Sequence, residues 1–254
     1  MNQPLTSRER QAFQYADNLS RESLITSQVN FQNACCTKFL PTVPDASVNL
    51  VLIDPPYLIS DPNERDTGTF KDLDARRNFG EWDHKDESLP GTIEHAKRIL
   101  VPGGRIVCFY DFWKITPLRD MLLRNGFKQL RRIQWLKENP MPVGAALNTL
   151  AGTAEMAATA VKGGNATFNG YCHDGLFYAD IVRSARLHPT QKPLELFKEL
   201  IRLYTNPGDT VLDCYAGSGT TGVAAIQTGR HFIGCERDSE FFEAAEARIF
   251  NPVK

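Results

Sequence analysis

A short apolar run that ends in two consecutive prolines constrains the fold of this chain more than any other feature. Residues 48–53 (Val-Asn-Leu-Val-Leu-Ile) have the length and β-branched character of a buried strand. Asp54-Pro55-Pro56-Tyr57 follows at once, and because proline has no N–H and a fixed φ, the strand must end there. The sequence predicts a stiff turn that presents a carboxylate and an aromatic ring at the carboxyl end of a strand, where open α/β sheets bind ligands.

Composition and charge exclude several classes of protein. The 254 residues suffice for one large α/β domain, and 42% hydrophobic with 23% charged residues is typical of a soluble globular chain. The net charge of −1 means that any nucleic-acid binding has to use a local basic face. No apolar run reaches the length of about 18 residues that a membrane span needs, and the N-terminus has no signal-peptide core. We therefore expect a cytoplasmic protein that does not bind membranes.

The cysteines and histidines give no sign of a metal site. The six cysteines form no C-x-x-C pair, and the five histidines are scattered along the chain. We expect reduced, mostly buried thiols, as in the cytosol, and no structural metal.

Helical and strand patterns alternate after the first strand. Helices are predicted at 89–100 and 116–125, and strands at 105–110 and 130–136. This β-α-β-α-β order predicts a mainly parallel sheet with crossover helices on both faces. Residues 7–24 are predicted to be partly helical and receive no role.

Two irregular segments interrupt this alternation. Residues 59–86 are polar and follow Tyr57 directly, so they predict either a mobile loop over the site or a plain surface loop. Residues 137–187 mix glycines, aromatics and basic residues without a regular period, which predicts a small, loop-rich recognition insertion. The alternative is an insertion that only packs. Its basic residues Lys162, Arg183 and Arg186 are the candidates for nucleic-acid contact.

A further predicted strand, at 210–215, leads into a glycine-rich loop and a helix. Gly217, Gly219 and Gly222 have the G-x-G-x-x-G spacing, and Glu236 lies about 19 residues beyond Gly217, where an acid binds ribose hydroxyls. This combination predicts a site for an adenosine-type cofactor. Asp213 and Asp54 would repel the pyrophosphate of a nicotinamide dinucleotide but suit the cationic S-adenosylmethionine, which is therefore favoured over an NAD-dependent oxidoreductase.

The position of the glycine loop implies an unusual chain order. Only 32 residues follow Gly222, enough for one strand and two helices. The other strands of a doubly wound sheet must come from the chain before the loop. The cofactor half is thus C-terminal and the Asp54–Tyr57 half N-terminal, which is a circular permutation of the usual order.

With both motifs in place, the sequence resembles the β class of DNA amino-methyltransferases over residues 30–250. The Asp-Pro-Pro-Tyr motif, the segment Cys214–Thr221 and the order of the motifs carry the resemblance, with Tyr215 standing where the family has Phe. It implies a single Rossmann-like, S-adenosylmethionine-dependent methyltransferase domain over residues 1–254, with 137–187 as the target-recognition insertion. It also implies double-stranded DNA as partner, and leaves open a homodimer and a cognate restriction endonuclease.

The resemblance also assigns roles to residues. Asp54, Pro55, Pro56 and Tyr57 would hold the amino group of a flipped-out base, with adenine N6 favoured over cytosine N4 because Asp stands at position 54. RNA, a protein glutamine and a non-catalytic DNA-binding relative are further alternatives. The residues that it implies for the cofactor are Asn33, His188, Thr190, Lys192, Asp213, Tyr215, Gly217, Ser218, Gly219, Thr220, Thr221 and Glu236.

Overall fold

The computed structural model describes residues 7–22, 25–57, 88–140, 152–183, 186–188 and 190–251. The loop predicted over residues 59–86 lies outside these ranges. The helices are α1 (Ser7–Glu22), α2 (Cys36–Phe39), α3 (Leu89–Ile99), α4 (Ile115–Arg124), α5 (Leu194–Tyr204), α6 (Thr220–Gln227) and α7 (Ser239–Phe250). The strands are β1 (Val29–Asn33), β2 (Val48–Ile53), β3 (Leu100–Tyr110), β4 (Lys128–Lys137), β5 (Ala154–Val161), β6 (Leu176–Ala179), β7 (Thr210–Asp213) and β8 (His231–Glu236).

The eight described strands form one sheet in the order β1-β8-β7-β2-β3-β5-β4-β6. Within this sheet β5 alone is antiparallel to its neighbours, β3 and β4. The remaining pairs are parallel, as the alternation of the sequence predicts. The mainly parallel α/β fold with crossover helices is therefore confirmed.

The two halves of the chain meet where β2 pairs with β7. Leu50 lies opposite Val211 and Val51 opposite Leu212, and both strands run in the same direction. The proline turn and the glycine loop consequently leave the same edge of the sheet side by side. The chain order of the two halves is therefore the permuted one that the order of the motifs predicts. Side by side, the two turns form the crevice in which such sheets bind ligands.

Helices cover both faces because the central strands are apolar on both sides. Val51 and Ile53 of β2 belong to a core with α3 and α4. Leu50 and Leu52 point the other way, into a core with α5 and α6. Burying each such side chain contributes about 1.5–3 kcal/mol, so β2 fixes the proline turn between two packed layers.

The structure corrects the prediction for residues 137–187. This region was expected to be an insertion of loops and short strands, yet β5 is an eight-residue strand in the interior of the sheet. Ala157 and Ala160 are fully buried, and β6 pairs with β4. The small alanines of β5 gave a weak strand signal, and only their pairing with β3 and β4 makes them part of the core.

The first strand was also missed. No strand was predicted before residue 48, but β1 pairs along β8 from Val29 to Asn33. As an edge strand with polar residues at alternate positions, β1 lacks the continuous apolar run of the central strands.

Helix α1 is attached to the domain by a buried ion pair. Glu22 accepts a hydrogen bond from Arg230 at 2.7 Å. It also accepts hydrogen bonds from the Arg202 guanidinium, the shortest at 2.9 Å. Arg230 is fully buried, so Glu22 supplies the negative charge that the interior requires. Among the helices of the described ranges, none combines the length and the apolar character needed to cross a bilayer.

We expect Glu22→Gln to lower the free energy of unfolding by about 3–5 kcal/mol, because it leaves the buried Arg230 guanidinium without a compensating charge. Urea denaturation followed by circular dichroism measures this loss. The matched control is Glu195→Gln, which removes an exposed pair with Lys198 and should cost less than about 1 kcal/mol. Equal losses in the two variants would contradict the role of Glu22.

Candidate active site

The turn after β2 brings a carboxylate and a phenol into direct contact. The Tyr57 hydroxyl donates a hydrogen bond to Asp54 Oδ1 over 2.8 Å. The Tyr57 ring lies edge-on to Tyr110, with 5.8 Å between the ring centroids. Because the two prolines fix the backbone between them, Asp54 and Tyr57 have little freedom to separate.

Lys192, just before α5, lies against the same carboxylate. Its Nζ is 2.6 Å from Asp54 Oδ2 and 3.0 Å from Glu155 Oε2, and the side chain is only 7% exposed. The ammonium also lies 5.4 Å from the centroid of the Tyr57 ring, within range of a cation–π interaction. The sequence predicts Lys192 as a cofactor residue, whereas in the structure its charge is shared by two carboxylates.

Glu155 is a site residue that the sequence did not reveal. It lies on β5, inside the segment predicted as a recognition insertion, and bridges Lys192 to Lys137, whose Nζ is 2.9 Å from Glu155 Oε1. No motif marks it. Only the antiparallel position of β5 beside β3 brings its start to the carboxyl edge of the parallel strands.

Burial and neighbouring charge set the pKa values in this network. Burial raises the pKa of Asp54, Lys192 lowers it and Glu155 raises it further, with a net increase over an ordinary aspartate. Burial would also raise the pKa of Glu155, but Lys192 and Lys137 hold it at about 2. For Lys192, burial lowers the pKa, yet the two carboxylates outweigh it and the net shift is upward. Lys192 and Glu155 are therefore ionised at neutral pH.

The glycine loop follows β7 and opens α6. Gly219 has a φ of +74°, and a Cβ there would lie 3.0 Å from the Ala245 Cβ, so a side chain would be both strained and crowded. Glu236, at the end of β8, accepts a hydrogen bond from the Gly217 N–H at 2.7 Å and another from the Asp238 N–H at 3.0 Å. The loop and the acid predicted to bind a ribose are thus in direct contact.

Asp213 is buried at the start of this loop. Its two oxygens accept hydrogen bonds from the Tyr215 N–H at 2.9 Å and the Thr221 hydroxyl at 2.5 Å. Burial raises the pKa of Asp213 to about 7 despite these hydrogen bonds, with a smaller contribution from the negative charges of Asp54 and Glu236. A cationic ligand would relieve this electrostatic cost.

Other predicted cofactor residues shape the loop. The Tyr215 hydroxyl bonds to Ser88 and Thr92, at 2.7 and 2.9 Å, and so joins the loop to α3. The hydroxyls of Ser218 and Thr220 lie 3.2 Å apart. Arg248, which the sequence did not single out, donates to the Ser218 carbonyl and to the Thr220 hydroxyl, both at 3.0 Å.

His188 and Thr190 form one wall beside the loop. The nearest His188 ring atom would lie 3.6 Å from a Cβ at Gly217, and the ring packs edge-on against Phe241 at 4.3 Å. Burial, with the charge of Lys192, lowers the pKa of His188 to about 4, so its imidazole is neutral at pH 7. The Thr190 hydroxyl lies 3.1 Å from His188 Nδ1.

One cavity of about 780 Å³ joins both motifs. Asp54–Tyr57, Lys192 and Glu155 line one part of it, and Asp213, Gly217 and Glu236 line another. This volume is in the range that holds a nucleotide-sized ligand. Asn33 lies close to Glu236, and its amide donates to the backbone carbonyl of Glu236 at 2.9 Å.

The structure does not bring the three predicted DNA-contact residues together. Lys162 follows β5 at the amino ends of the parallel strands, away from the cavity. Its ammonium donates there to the backbone carbonyls of Arg98 and Leu100 at 3.0 and 2.5 Å. Lys162 therefore stabilises the fold there. Arg183 is exposed and donates to the Asn139 carbonyl at 2.7 Å, and Arg186 is exposed on the segment that leads to His188.

Comparison with known proteins agrees with this site. The profile of the N6/N4 DNA methylase family matches residues 48–172 and 169–247. The type II methyltransferase M2.DpnII of Streptococcus pneumoniae is 30% identical over 235 residues, covering 84% of this chain and 86% of that protein. The type II methyltransferase M2.MboI of Moraxella bovis is 30% identical over 243 residues and covers 86% of both chains.

Solved structures share the fold. The M1.HpyAVI–SAM complex superposes with a TM-score of 0.69 at 28% identity, over 87% of this chain and 99% of that one. PvuII DNA methyltransferase, described as cytosine-N4-specific, gives 0.70 over 91% of this chain and 89% of that one. At 19% identity, the PvuII enzyme supports the fold alone.

A mainly parallel sheet with a glycine loop and an Asp-Pro-Pro-Tyr turn in one cavity defines a class of methyl-transferring enzymes. The chain belongs to the N6/N4 DNA methylase family, whose members are S-adenosylmethionine-dependent DNA methyltransferases.

We expect Asp213→Asn to change how stability depends on pH. The pKa of Asp213 is about 7 in the folded protein and about 4 when unfolded. The wild-type chain therefore loses stability through this group as pH rises from about 4 to 7, and the variant does not. The difference in melting temperature, variant minus wild type, should become more positive between pH 5 and pH 8. The exposed Asp120→Asn serves as control, and a constant difference in both variants would refute the assignment.

Proposed function

We propose that this enzyme transfers a methyl group to the N6 amino group of adenine in double-stranded DNA, with the target base turned out of the helix. The observation that carries the proposal is the pairing of Asp54 with Tyr57, on a rigid turn, in the same cavity as the glycine loop. Adenine is favoured over cytosine because an aspartate stands at position 54, where N4-specific relatives more often have serine.

The residues of the glycine loop suit S-adenosylmethionine, which supplies the methyl group when bound. Glu236 has lone pairs left for ribose hydroxyls, since its two N–H partners use only part of its acceptor capacity. Asp213, whose raised pKa reflects unfavourable burial, offers a favourable place for a cation. His188 and Thr190 would close the cavity beside Gly217, and their neutral state avoids repulsion of a cationic group.

The proline turn would hold the acceptor nitrogen. Asp54 would accept one N6–H and the Pro55 carbonyl the other, while the Tyr57 ring would lie on the face of the base. Two fixed acceptors orient the nitrogen lone pair, which is otherwise conjugated with the ring and weakly nucleophilic. Formation of the N–C bond would accompany cleavage of the S–C bond of the bound sulfonium, whose electron pair would stay on sulfur. The extra proton on the nitrogen would then pass to an Asp54 oxygen, so Asp54 must be ionised before transfer.

Lys192 keeps Asp54 ionised in a buried place. Without the ammonium at 2.6 Å, burial and the neighbouring Glu155 would both raise the pKa of Asp54. Glu155 in turn holds Lys192 by a second contact, at 3.0 Å, and leaves part of the Asp54 carboxylate available to an incoming amino group. We therefore assign Lys192 to positioning and charge control at Asp54 rather than to the methionine carboxylate.

Two exposed arginines close in sequence to the cavity residue His188 are candidates for DNA contact. Arg183 and Arg186 precede His188 in the chain and carry positive charge on a protein whose net charge is −1. We propose that they contact phosphates next to the target base.

Expression in a host that lacks DNA methylation, followed by single-molecule sequencing, identifies the modified base and its sequence together. We expect N6-methyladenine within a short defined sequence. N4-methylcytosine would overturn the adenine assignment, and no modified base would overturn the proposed activity.

We expect Asp54→Asn to reduce methyl transfer at least about 100-fold, because the amide cannot take up the proton. Isothermal titration with S-adenosylhomocysteine should give binding close to that of the wild type, since the glycine loop is intact. Asp45→Asn, at the other end of β2, is the matched control and should retain full activity. Full activity of Asp54→Asn would exclude Asp54 as the acceptor.

We expect Lys192→Met to move the acidic limb of the pH–rate profile to higher pH. Loss of the ammonium raises the pKa of Asp54, so a higher pH is needed to ionise it. Lys192→Arg, which restores the charge, should return the profile toward that of the wild type. Steady-state measurements of kcat between pH 5 and pH 9 test this expectation. A lower kcat of Lys192→Met with an unshifted pH–rate profile would indicate a merely structural lysine.

A further inference from the structure

Two large aromatic side chains stand in solvent directly beside the active-site cavity. Phe112 and Trp113 form a short helical turn immediately after β3, and we call this pair the aromatic turn. Trp113 is 85% exposed and Phe112 is 55% exposed. Their rings are perpendicular, with 5.0 Å between centroids, so each supports the other and neither joins the core.

The aromatic turn has one direct contact with the proline turn and follows a residue that lines the cavity. Before it, Asp111 lines the cavity and its Oδ1 accepts a hydrogen bond from the Trp113 N–H at 2.9 Å. After it, Lys114 donates from Nζ to the Tyr57 carbonyl oxygen at 2.7 Å. The backbone that carries the two rings is therefore held beside the cavity, next to the residue on which the target base would rest.

A tryptophan that is 85% exposed contributes little to the core of the fold. Large aromatics are normally buried, and an exposed aromatic pair next to a ligand cavity marks an interaction site. A base that leaves the DNA helix also leaves a gap with two unstacked neighbours, which is costly. Aromatic rings fill such a gap well because every base has a π face on which they can stack.

We propose that Trp113, braced by Phe112, inserts into the DNA duplex beside the displaced target base and stacks on its neighbours. This inference rests on the proposed function, since it assumes a base turned into the cavity. The contact of Lys114 with the Tyr57 carbonyl would couple the insertion to the position of the base. Other exposed aromatics among the described residues lack such links, as with Phe250, at the far end of α7.

Single-turnover methylation of two duplexes tests the proposal. Both carry the sequence that the wild-type enzyme modifies, and in one of them the target base lies opposite an abasic position, where turning it out requires little energy. We expect Trp113→Ala to react about 10–100-fold more slowly than the wild type on the fully paired duplex, as expected for the loss of one stacking platform. On the abasic duplex most of this loss should disappear.

Phe250→Ala is the matched control and should behave like the wild type on both duplexes. An unchanged rate of Trp113→Ala on the paired duplex would overturn the proposal, and so would an equal loss on both duplexes. If the wild type modifies cytosine, the adenine assignment fails, while the aromatic turn is tested unchanged with cytosine as the target base.

Discussion

The parallel pairing of β2 with β7 is the constraint on which the rest of the structure depends. It joins an N-terminal half that ends in the proline turn to a C-terminal half that ends in the glycine loop, through Val51 and Leu212. Because the strands are parallel, both turns emerge at one edge, and a single cavity connects them. An antiparallel pairing would put the two motifs at opposite ends of the sheet.

The charges at this edge form a chain of alternating sign. Asp54, Lys192, Glu155 and Lys137 follow one another with contacts of 2.6–3.0 Å, and each buried charge has a partner of opposite sign. Such an arrangement offsets the desolvation of each group only while all members are present. It also places Lys192 and Glu155, which lie outside the two motifs, where their charges act on the pKa of Asp54.

The sequence was most informative where one local signal sufficed. The bounds of α3 and α4 are predicted to within one residue, and the end of β2 follows from the proline turn. It was less informative where structure depends on distant partners. The edge strand β1 and the alanine-rich β5 acquire their strand structure from β8 and from β3 and β4, which no local pattern reveals.

The sequence alone determined the class of fold, the permuted order of its halves and the two motifs of the site, because prolines, glycines and apolar spacing act over a few residues. The tertiary structure decided the surroundings of those motifs. In the folded chain Lys162 lies at the amino ends of the parallel strands, away from the cavity, and Lys192 contacts Asp54. Glu155 and Arg248, which no motif marks, also contact residues of the site. These contacts join residues up to 138 positions apart (Asp54 and Lys192), and the free energy of such contacts depends on burial and charge that only the folded chain creates.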